Sequence, residues 1–481
     1  MLGLFAFGTT TTVLTASLKD VAEGLDTSTT VLAWTVTAPF LALGVATPVF
    51  GKVGDIYGRR RFYLGGMTVF AAATVASAFA PGAAALIALR ALAGLGAAAS
   101  LPNGTALILD RFTVDERPRA IGVFNLIATG APAVGLVLGG PMVQALGWRS
   151  VFGIYGAISV FGLVLAVFVV PRDHGGARVP VDIAGSAALG TATLGLMLGM
   201  TAGERLGFAH PAALAVLALC PIGIVWFVRA ERRAPYPLVP LAYFRRPNFA
   251  GPLVGYFCGH IAYMGAFVIT PILLDDVFGY ALSAATAILL LRPLSFSLAS
   301  PVGGQFTTRL GVRRTSVISS GAMACSMGLF ALGASVESIV LVIGALSLSG
   351  VCLGLCSPAY MSALTDAAEP EELGLATGML ATAANLGTVI GIQIGVLALG
   401  DSEPHGATDF ALPYLIGAVA AVLMTLASSR LQPVDRAQRV VAGRGAMNTP
   451  SASAQTVSSS LRRSAARANV LRPSRRSNRA S

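Results

Sequence analysis

The sequence predicts an all-α polytopic membrane protein: two six-helix bundles related by an internal repeat, with two spans inserted between them, about fourteen transmembrane helices in all. Three observations predict this fold class: the composition, the spacing of long apolar segments, and a motif that recurs halfway along the chain. Of 481 residues, 55% are hydrophobic and 11% are charged, against about 25% charged in soluble domains. The mean hydropathy of +0.74 favours helices that cross a bilayer.

Fourteen segments of the chain are apolar over about 20 residues, the length that crosses the hydrocarbon core as a helix. Glycine and proline interrupt several of them, as is common in transmembrane helices. The predicted spans, numbered 1 to 14, are 2–19, 31–50, 62–81, 83–109, 120–146, 150–171, 181–202, 210–229, 248–274, 282–307, 315–335, 337–364, 374–399 and 410–430.

The distribution of lysine and arginine orients these spans. The loops after even-numbered spans contain 17 Lys and Arg, whereas the loops after odd-numbered spans contain 3. Because cytoplasmic loops carry the excess of positive charge, the even-numbered ends are expected to be cytoplasmic. Both termini are then cytoplasmic, which requires an even number of spans, and the expected location is the plasma membrane.

The net charge of +11 does not indicate a nucleic-acid partner. Ten Arg and one Asp follow Arg430, whereas the rest of the chain is nearly balanced. This tail lacks apolar periodicity and is expected to be disordered, either attracted to anionic lipid or simply solvated. All five cysteines lie in apolar segments without the neighbours of a metal site, so no disulfide, metal or cofactor is expected.

A motif at the end of span 2 recurs at the end of span 10. Segments 51–61 and 304–314 lie 253 residues apart and share two glycines and two arginines in register. Repeats of this kind are typical of transporters whose two halves move about a central site. The predicted domains are an N-terminal bundle, 1–171, the inserted spans and a cytoplasmic linker, 172–247, a C-terminal bundle, 248–430, and the basic tail, 431–481.

These motifs carry a family resemblance. Segment 51–61 resembles the loop signature of the major facilitator superfamily, with Ile56 where that pattern usually has arginine. Segment 86–98 resembles its span 4 motif. Segment 130–140 is similar to the motif of its antiporters, with Leu136 in place of the usual proline.

Two further segments resemble the fourteen-span drug:proton antiporter branch: the Trp-Arg pair after span 5 and the proline-rich segment 235–247. The resemblance covers residues 1–430. It implies a secondary active exporter of amphipathic small molecules or drugs, working by alternating access, in exchange for protons and without a cofactor. Such a protein would be a multidrug efflux antiporter embedded in the lipid bilayer, most simply as a monomer.

Asp55 is the candidate gate residue, because it lies between helix ends among four cations. A carboxylate there can bond to helix N-terminal amides or to an arginine across the two halves, holding one state of the bundle. The alternative is a helix cap in a solvated basic loop, worth under about 1 kcal/mol. The predicted gating loops contain Gly51, Asp55, Gly58, Arg59 and Arg60 in the first copy and Gly304, Gly311 and Arg313 in the second.

Arg90 and Arg292 are charges within predicted spans 4 and 10. A charge near a helix centre costs about 2.5–3.5 kcal/mol on insertion scales, so each is expected to face the bundle interior. Threonines of span 1 could accept hydrogen bonds from Arg90, while an Arg90 that reaches the outer surface is the alternative. Arg292 lies deeper.

Proton coupling needs a titratable group, and the resemblance implies an acidic residue in span 1. Thr10 stands at that position. His260 in span 9 titrates in the useful range, although a neutral core histidine is an equal alternative. Asp275 and Asp276, at the outer end of span 9, could retain a proton between them or form a solvated helix end.

The glycines and prolines of span 5 allow close helix approach and bending, which predicts a hinge, with tight packing as the alternative. The hinge candidates are Gly130, Pro132, Gly135, Gly139 and Gly140. Side chains that could line a polar cavity, or simply bond to a neighbour, are Thr10, Asn125, Tyr263, Asn385 and Gln393.

Three other functions are compatible with parts of the sequence. An uncoupled or differently coupled facilitator or importer of a small metabolite would explain Thr10. A membrane-embedded enzyme or sensor is disfavoured because the four histidines and few carboxylates form no catalytic set. A channel is disfavoured by the repeated gating loops. The chain is therefore not expected to be an enzyme.

The His260→Ala substitution tests the proton-carrier hypothesis. If His260 carries protons, its loss will shift the pH dependence of transport, because no imidazole then titrates at that position. The measurement is the transport rate as a function of pH in the wild type and the variant. An unchanged pH profile would remove His260 from the mechanism.

Overall fold

The computed structural model describes residues 6, 8–10, 13–14, 18–32, 34–113, 115–170, 182–280, 282–400 and 405–432. Most of predicted span 1, the basic loop after span 6, and residues 433–481 of the predicted tail lie outside the described residues. In the predicted hinge, the surroundings of Pro132, Gly135, Gly139 and Gly140 also lie outside what the structure describes.

Regular structure within the described residues is helical throughout, which confirms the all-α prediction. Two 3-10 helices, Leu241–Arg245 and Pro370–Glu372, accompany the α-helices. The α-helices are α1 Leu18–Gly24, α2 Thr29–Leu32, α3 Trp34–Tyr57, α4 Arg59–Ser77, α5 Ala83–Leu109, α6 Arg117–Leu146, α7 Trp148–Val169, α8 Ile183–Leu206, α9 Pro211–Arg233, α10 Pro247–Asp276, α11 Leu282–Leu289, α12 Leu291–Leu310, α13 Val312–Ser335, α14 Ile339–Ala367, α15 Leu373–Leu399 and α16 Ala411–Ser429.

Eleven candidate spans, among the residues described, are long and apolar enough to cross a membrane. One of them, residues 287–310, joins the end of α11 to α12. Helices α4 and α6, of 19 and 30 residues, are not among the eleven. The chain is therefore a multi-pass membrane protein, and the count of fourteen spans stays a prediction.

The second glycine of the repeated motif lies where one helix ends and the next begins. Gly58 separates α3 from α4 with φ of 111°, and Gly311 separates α12 from α13 with φ of 86°. Only glycine adopts these angles without steric cost. The recurrence of this glycine therefore reflects the same sharp turn at the same point of each half.

Two hydrophobic cores lie in different parts of the chain. The first joins α1 to α7 around side chains such as Phe70 and Phe152, both 1% exposed. The second joins α10 and α12–α16 around Phe330 and Tyr414, whose rings stack with centroids 4.8 Å apart. Helices α8 and α9 pack mainly on each other.

Glycines bring the two cores together along two helix pairs, α3 with α15 and α6 with α12. In the first pair, a Cβ atom on Gly374 would lie 2.6 Å from the carbonyl oxygen of Gly51. In the second, a Cβ on Gly122 would lie 2.6 Å from the carbonyl oxygen of Ser300. Gly304 meets Pro118 on α6 in the same way. Small residues permit such close backbone packing in membranes, and these two pairs form what we call the seam.

The Gly122→Val substitution tests the packing at the seam. A side chain at position 122 forces α6 away from α12, and overpacking of this kind costs about 1–3 kcal/mol. We expect the purified variant to lose that much free energy of unfolding and to transport slowly. Gly65→Val, at a glycine with no atom within 4 Å of its Cβ position, is the matched control. Equal stability of the two variants would contradict the packing.

Candidate functional site

The Asp55 carboxylate, at the end of α3, bonds to the N-terminus of α15. Its Oδ1 accepts from the Gly374 amide at 3.1 Å and its Oδ2 from the Leu375 amide at 2.9 Å. Arg59, one turn further along the chain, donates to Oδ1 at 2.7 Å. Asp55 is 7% exposed. A carboxylate at a helix N-terminus satisfies amides that the helix leaves free and is stabilised by the helix dipole.

Lys52 and Glu372 add an ion pair beside Asp55. Lys52 lies one turn before Asp55 on α3, and its ammonium group pairs with Oε1 of Glu372, which ends the 3-10 helix before α15. Both side chains are less than 15% exposed. The ion pair and the Asp55 bonds thus join α3 to the start of α15 over adjacent turns. A partly buried ion pair is weakly screened by salt.

The segment between α9 and α10, residues 234–246, is bonded to the Glu372 carboxylate. We call this segment the linker. The Tyr243 hydroxyl donates to Oε2 of Glu372 at 2.6 Å. Burial, followed by the Glu372 carboxylate, raises the pKa of Tyr243, so the hydroxyl stays protonated and able to donate. Arg246 lies over the Tyr243 ring, 4.6 Å from its centroid, and donates to the Ala367 carbonyl oxygen.

Apolar and polar contacts fix the linker to α8 and α9 as well. Leu238 and Val239 pack with Phe227 of α9 and Leu375 of α15 in one small core. The Val239 amide donates to the buried Glu231 carboxylate of α9 at 3.3 Å. The linker therefore contacts α8, α9 and the seam at the same time.

A second ion pair lies beside the α6–α12 pair of the seam and joins α6 to α14. Arg117, the first residue of α6, lies 3.5 Å from the Asp366 carboxylate near the end of α14. Asp366 is 5% exposed at its side chain. The repeat position that corresponds to Asp55 is Thr308, whose hydroxyl bonds within its own helix. Helix α6 is thus joined to α14 by residues unlike those that join α3 to α15.

A chain of polar side chains crosses the seam deeper in the bundle. Asn125 of α6 donates to Ser357 of α14 at 2.9 Å, and the Tyr256 hydroxyl of α10 lies 3.0 Å from the same Ser357 oxygen. His260 packs edge-on to the Tyr256 ring, and its Nδ1 lies 2.8 Å from the Tyr256 carbonyl oxygen. Asn125 and His260, two predicted site residues, therefore belong to one cluster.

Arg90 and Arg292 are both fully buried. The burial of Arg90 contradicts the alternative in which it reaches the outer surface, because its guanidinium lies 5.8 Å from the Phe152 ring inside the first core. The Arg292 guanidinium lies 3.7 Å from the centroid of Tyr263. None of the described residues accepts a hydrogen bond from Arg292, so cation–π contact is its observed stabilisation.

The other predicted site residues lie apart from the seam cluster or within their own helices. Asp276 does not pair with Asp275; it accepts from the amide of His405 and lies 2.7 Å from His405 Nδ1. Thr10 is buried and donates to the Ala6 carbonyl oxygen in its own turn. Asn385 is half-buried and Gln393 is 7% exposed, both on α15.

The comparisons with known proteins identify the family. A profile described as Major Facilitator Superfamily matches residues 1–392 and 253–471. The chain belongs to the major facilitator superfamily. It is therefore a membrane transporter and not an enzyme, and its substrate is a small molecule.

Relatives in this superfamily include several resistance proteins. The multidrug resistance protein Stp of Mycobacterium tuberculosis (strain CDC 1551 / Oshkosh) is 29% identical over 411 residues, covering 84% of this chain and 76% of that protein. The methylenomycin A resistance protein of Streptomyces coelicolor is 29% identical over 429 residues, covering 85% and 88%. The structure of the human organic anion transporter MFSD10 matches with a TM-score of 0.62 at 15% identity over 90% of this chain and 97% of its own.

Several residues of the transporter's seam were missed by sequence reasoning. Glu372 had a signal, since acidic residues often precede the first turn of a helix. Tyr243 lies in the proline-rich segment that was noted only for its resemblance. Ser357, Asp366 and His405 had no distinguishing pattern, because their partners lie far away along the chain.

The Asp55→Asn substitution tests the gate. Asparagine keeps the shape but loses the charge, and hydrogen bonds to a charged group contribute about 1.5–3 kcal/mol. We expect transport to fall about tenfold or more while the amount of protein in the membrane stays nearly unchanged. Asp110→Asn is the matched control, because Asp110 also faces Arg59, at 4.0 Å, but is 56% exposed. Normal transport by Asp55→Asn would contradict the gate.

Proposed function

We propose that this transporter is a secondary active exporter of amphipathic small molecules or drugs, working by alternating access in exchange for protons. It has fourteen spans with both termini cytoplasmic, in a plasma membrane, and acts as a monomer. The observation that carries the proposal is the bond between Asp55 and the α15 amides. This bond joins the two halves at one end. Its donors and its acceptor can separate without disrupting either hydrophobic core.

The positions of the ion pairs at the seam support alternating access. Lys52, Asp55 and Arg117 are at helix ends next to the arginine-rich loops, as are their partners Asp366 and Glu372. We call this end of the bundle the basic end. In the described conformation the basic end is closed, and an exporter would next release substrate on the opposite side.

Export of drugs is supported by the names of the relatives, which are resistance proteins for several unrelated compounds. The seam is also compatible with apolar substrates. Its deeper polar groups, Asn125, Ser357 and Tyr256, already bond to one another. A substrate between the halves would then be held mainly by apolar contact, which tolerates varied shapes.

Proton exchange is supported by the position of the buried carboxylates. Asp55, Glu231 and Asp366 are all buried or nearly so, and all lie at the basic end. Protonation of Asp55 would cancel its attraction to Arg59 and to the α15 amides, which weakens the closed seam. A proton would then open the basic end directly, without a carboxylate in the first span.

A second candidate is a facilitator whose transport does not depend on protons. Thr10 favours it, because its buried hydroxyl bonds to its own helix and cannot carry charge. Both candidates use the same seam and the same movement. They differ in whether a pH gradient can drive accumulation.

Dye transport into proteoliposomes separates the two candidates. With the purified full chain, a lipophilic cationic dye should accumulate under an imposed pH gradient, and a proton ionophore should abolish that accumulation. Equilibration that ignores the gradient would favour the facilitator. The Asp55→Asn variant, reconstituted at the same density, controls for leakage. Absence of dye movement in the wild type would contradict export of cationic drugs.

A further inference from the structure

A groove in the first half of the molecule lies away from the seam. It has a volume of about 600 Å³ and is formed by α4, α5, α6 and α7. Most of its lining is apolar, and the polar exceptions include Ser100 and Thr105. Their hydroxyls donate to carbonyl oxygens of their own helix. The interior of the groove therefore suits hydrocarbon.

The groove extends along α5 from Ser100 to Ile108 and ends at Arg111, two residues past the end of the helix. At 1.5 Å per residue, the helical stretch from Ser100 to Ile108 is about 12 Å long. One leaflet contributes about 15 Å, half of the 30 Å hydrocarbon core. The groove thus covers most of the depth of one leaflet, the one that adjoins the basic end.

Positive charge lies at the basic end of the groove. Arg111 is exposed and lines the groove itself. Arg60 donates to the carbonyl oxygens of Val167 and Val170, both at 2.8 Å, which places its charge at the end of α7 beside the groove. Asp110, the neighbour of Arg111 along the chain, faces Arg59 at 4.0 Å. An anion at this end would therefore meet an excess of positive charge.

We propose that this groove binds an anionic phospholipid of the adjoining leaflet. An acyl chain occupies the apolar interior between α4, α5 and α7, and the phosphate lies against Arg111. Charge complementarity selects the anionic headgroup, and apolar burial holds the chain. The site is independent of the transport cycle proposed above, because the described seam residues are not part of its lining.

Native mass spectrometry of the purified full chain tests the site. After delipidation, the protein is mixed with phosphatidylglycerol or phosphatidylcholine that have the same acyl chains. We expect the anionic lipid to be retained about fivefold more strongly, the effect of one arginine near a membrane surface. Arg111→Gln should remove most of that preference. Arg314→Gln, another exposed arginine of the basic end, should keep it.

Two further arms separate the lipid from other occupants. Ala166→Leu fills the groove at a lining position and should weaken both lipids about equally. Glycerol 1-phosphate, a soluble headgroup, should not displace the lipid. Equal retention of the two lipids by the wild type, or equal behaviour of Arg111→Gln and Arg314→Gln, would overturn the proposal. Displacement by glycerol 1-phosphate would indicate an anion site instead, and displacement by a cationic dye a substrate site; either result would also overturn it.

Discussion

The Asp55 carboxylate bonds to the first amides of α15, and the close approach of two helices makes this possible. Gly51 and Gly374 have no side chains to separate α3 from α15. The Asp55 carboxylate therefore reaches the first amides of α15, which have no hydrogen-bond acceptor within α15. Asn103, buried behind α3, donates to the Phe50 carbonyl oxygen and fits because Gly54 has no Cβ. Gly51, Gly54 and Gly374 therefore allow the close approach on which the Asp55 bonds depend.

The two helix pairs of the seam share a backbone arrangement but differ in chemistry. Gly51 and Gly304 are repeat-related, and each meets the backbone of the other half. The acid remains only in the first copy, since Thr308 bonds within its helix. Beside the second pair, Arg117 of α6 and Asp366 of α14 lie 3.5 Å apart. Two dissimilar contacts at one end can respond differently to pH or to a ligand, which identical contacts could not.

The sequence predicted the features that depend on residues close together along the chain. Long apolar segments predicted the helices, and Gly58 and Gly311 marked the turns, because hydrophobic length and backbone angle depend on neighbouring residues. Asp55 was noticed for the same reason. Which amides bond to Asp55, the pairing of Glu372 with Lys52 and the partners of Ser357 could not be predicted, because each group meets its partner only through tertiary packing. The stacking of Arg292 on Tyr263 likewise depends on how α10 meets α12.

The linker connects α8 and α9 to the contacts between α3 and α15. Tyr243 bonds to the carboxylate that pairs with Lys52, while Val239 bonds to Glu231 of α9. If these contacts differ between the closed and open states, linkage requires the influence to run both ways. A molecule that binds α8 or α9 more tightly in one state would shift the equilibrium between the closed and open seam by a certain factor. The change between those two states would alter the affinity for that molecule by the same factor. Helices α8 and α9 can then serve as a regulatory binding site for the seam.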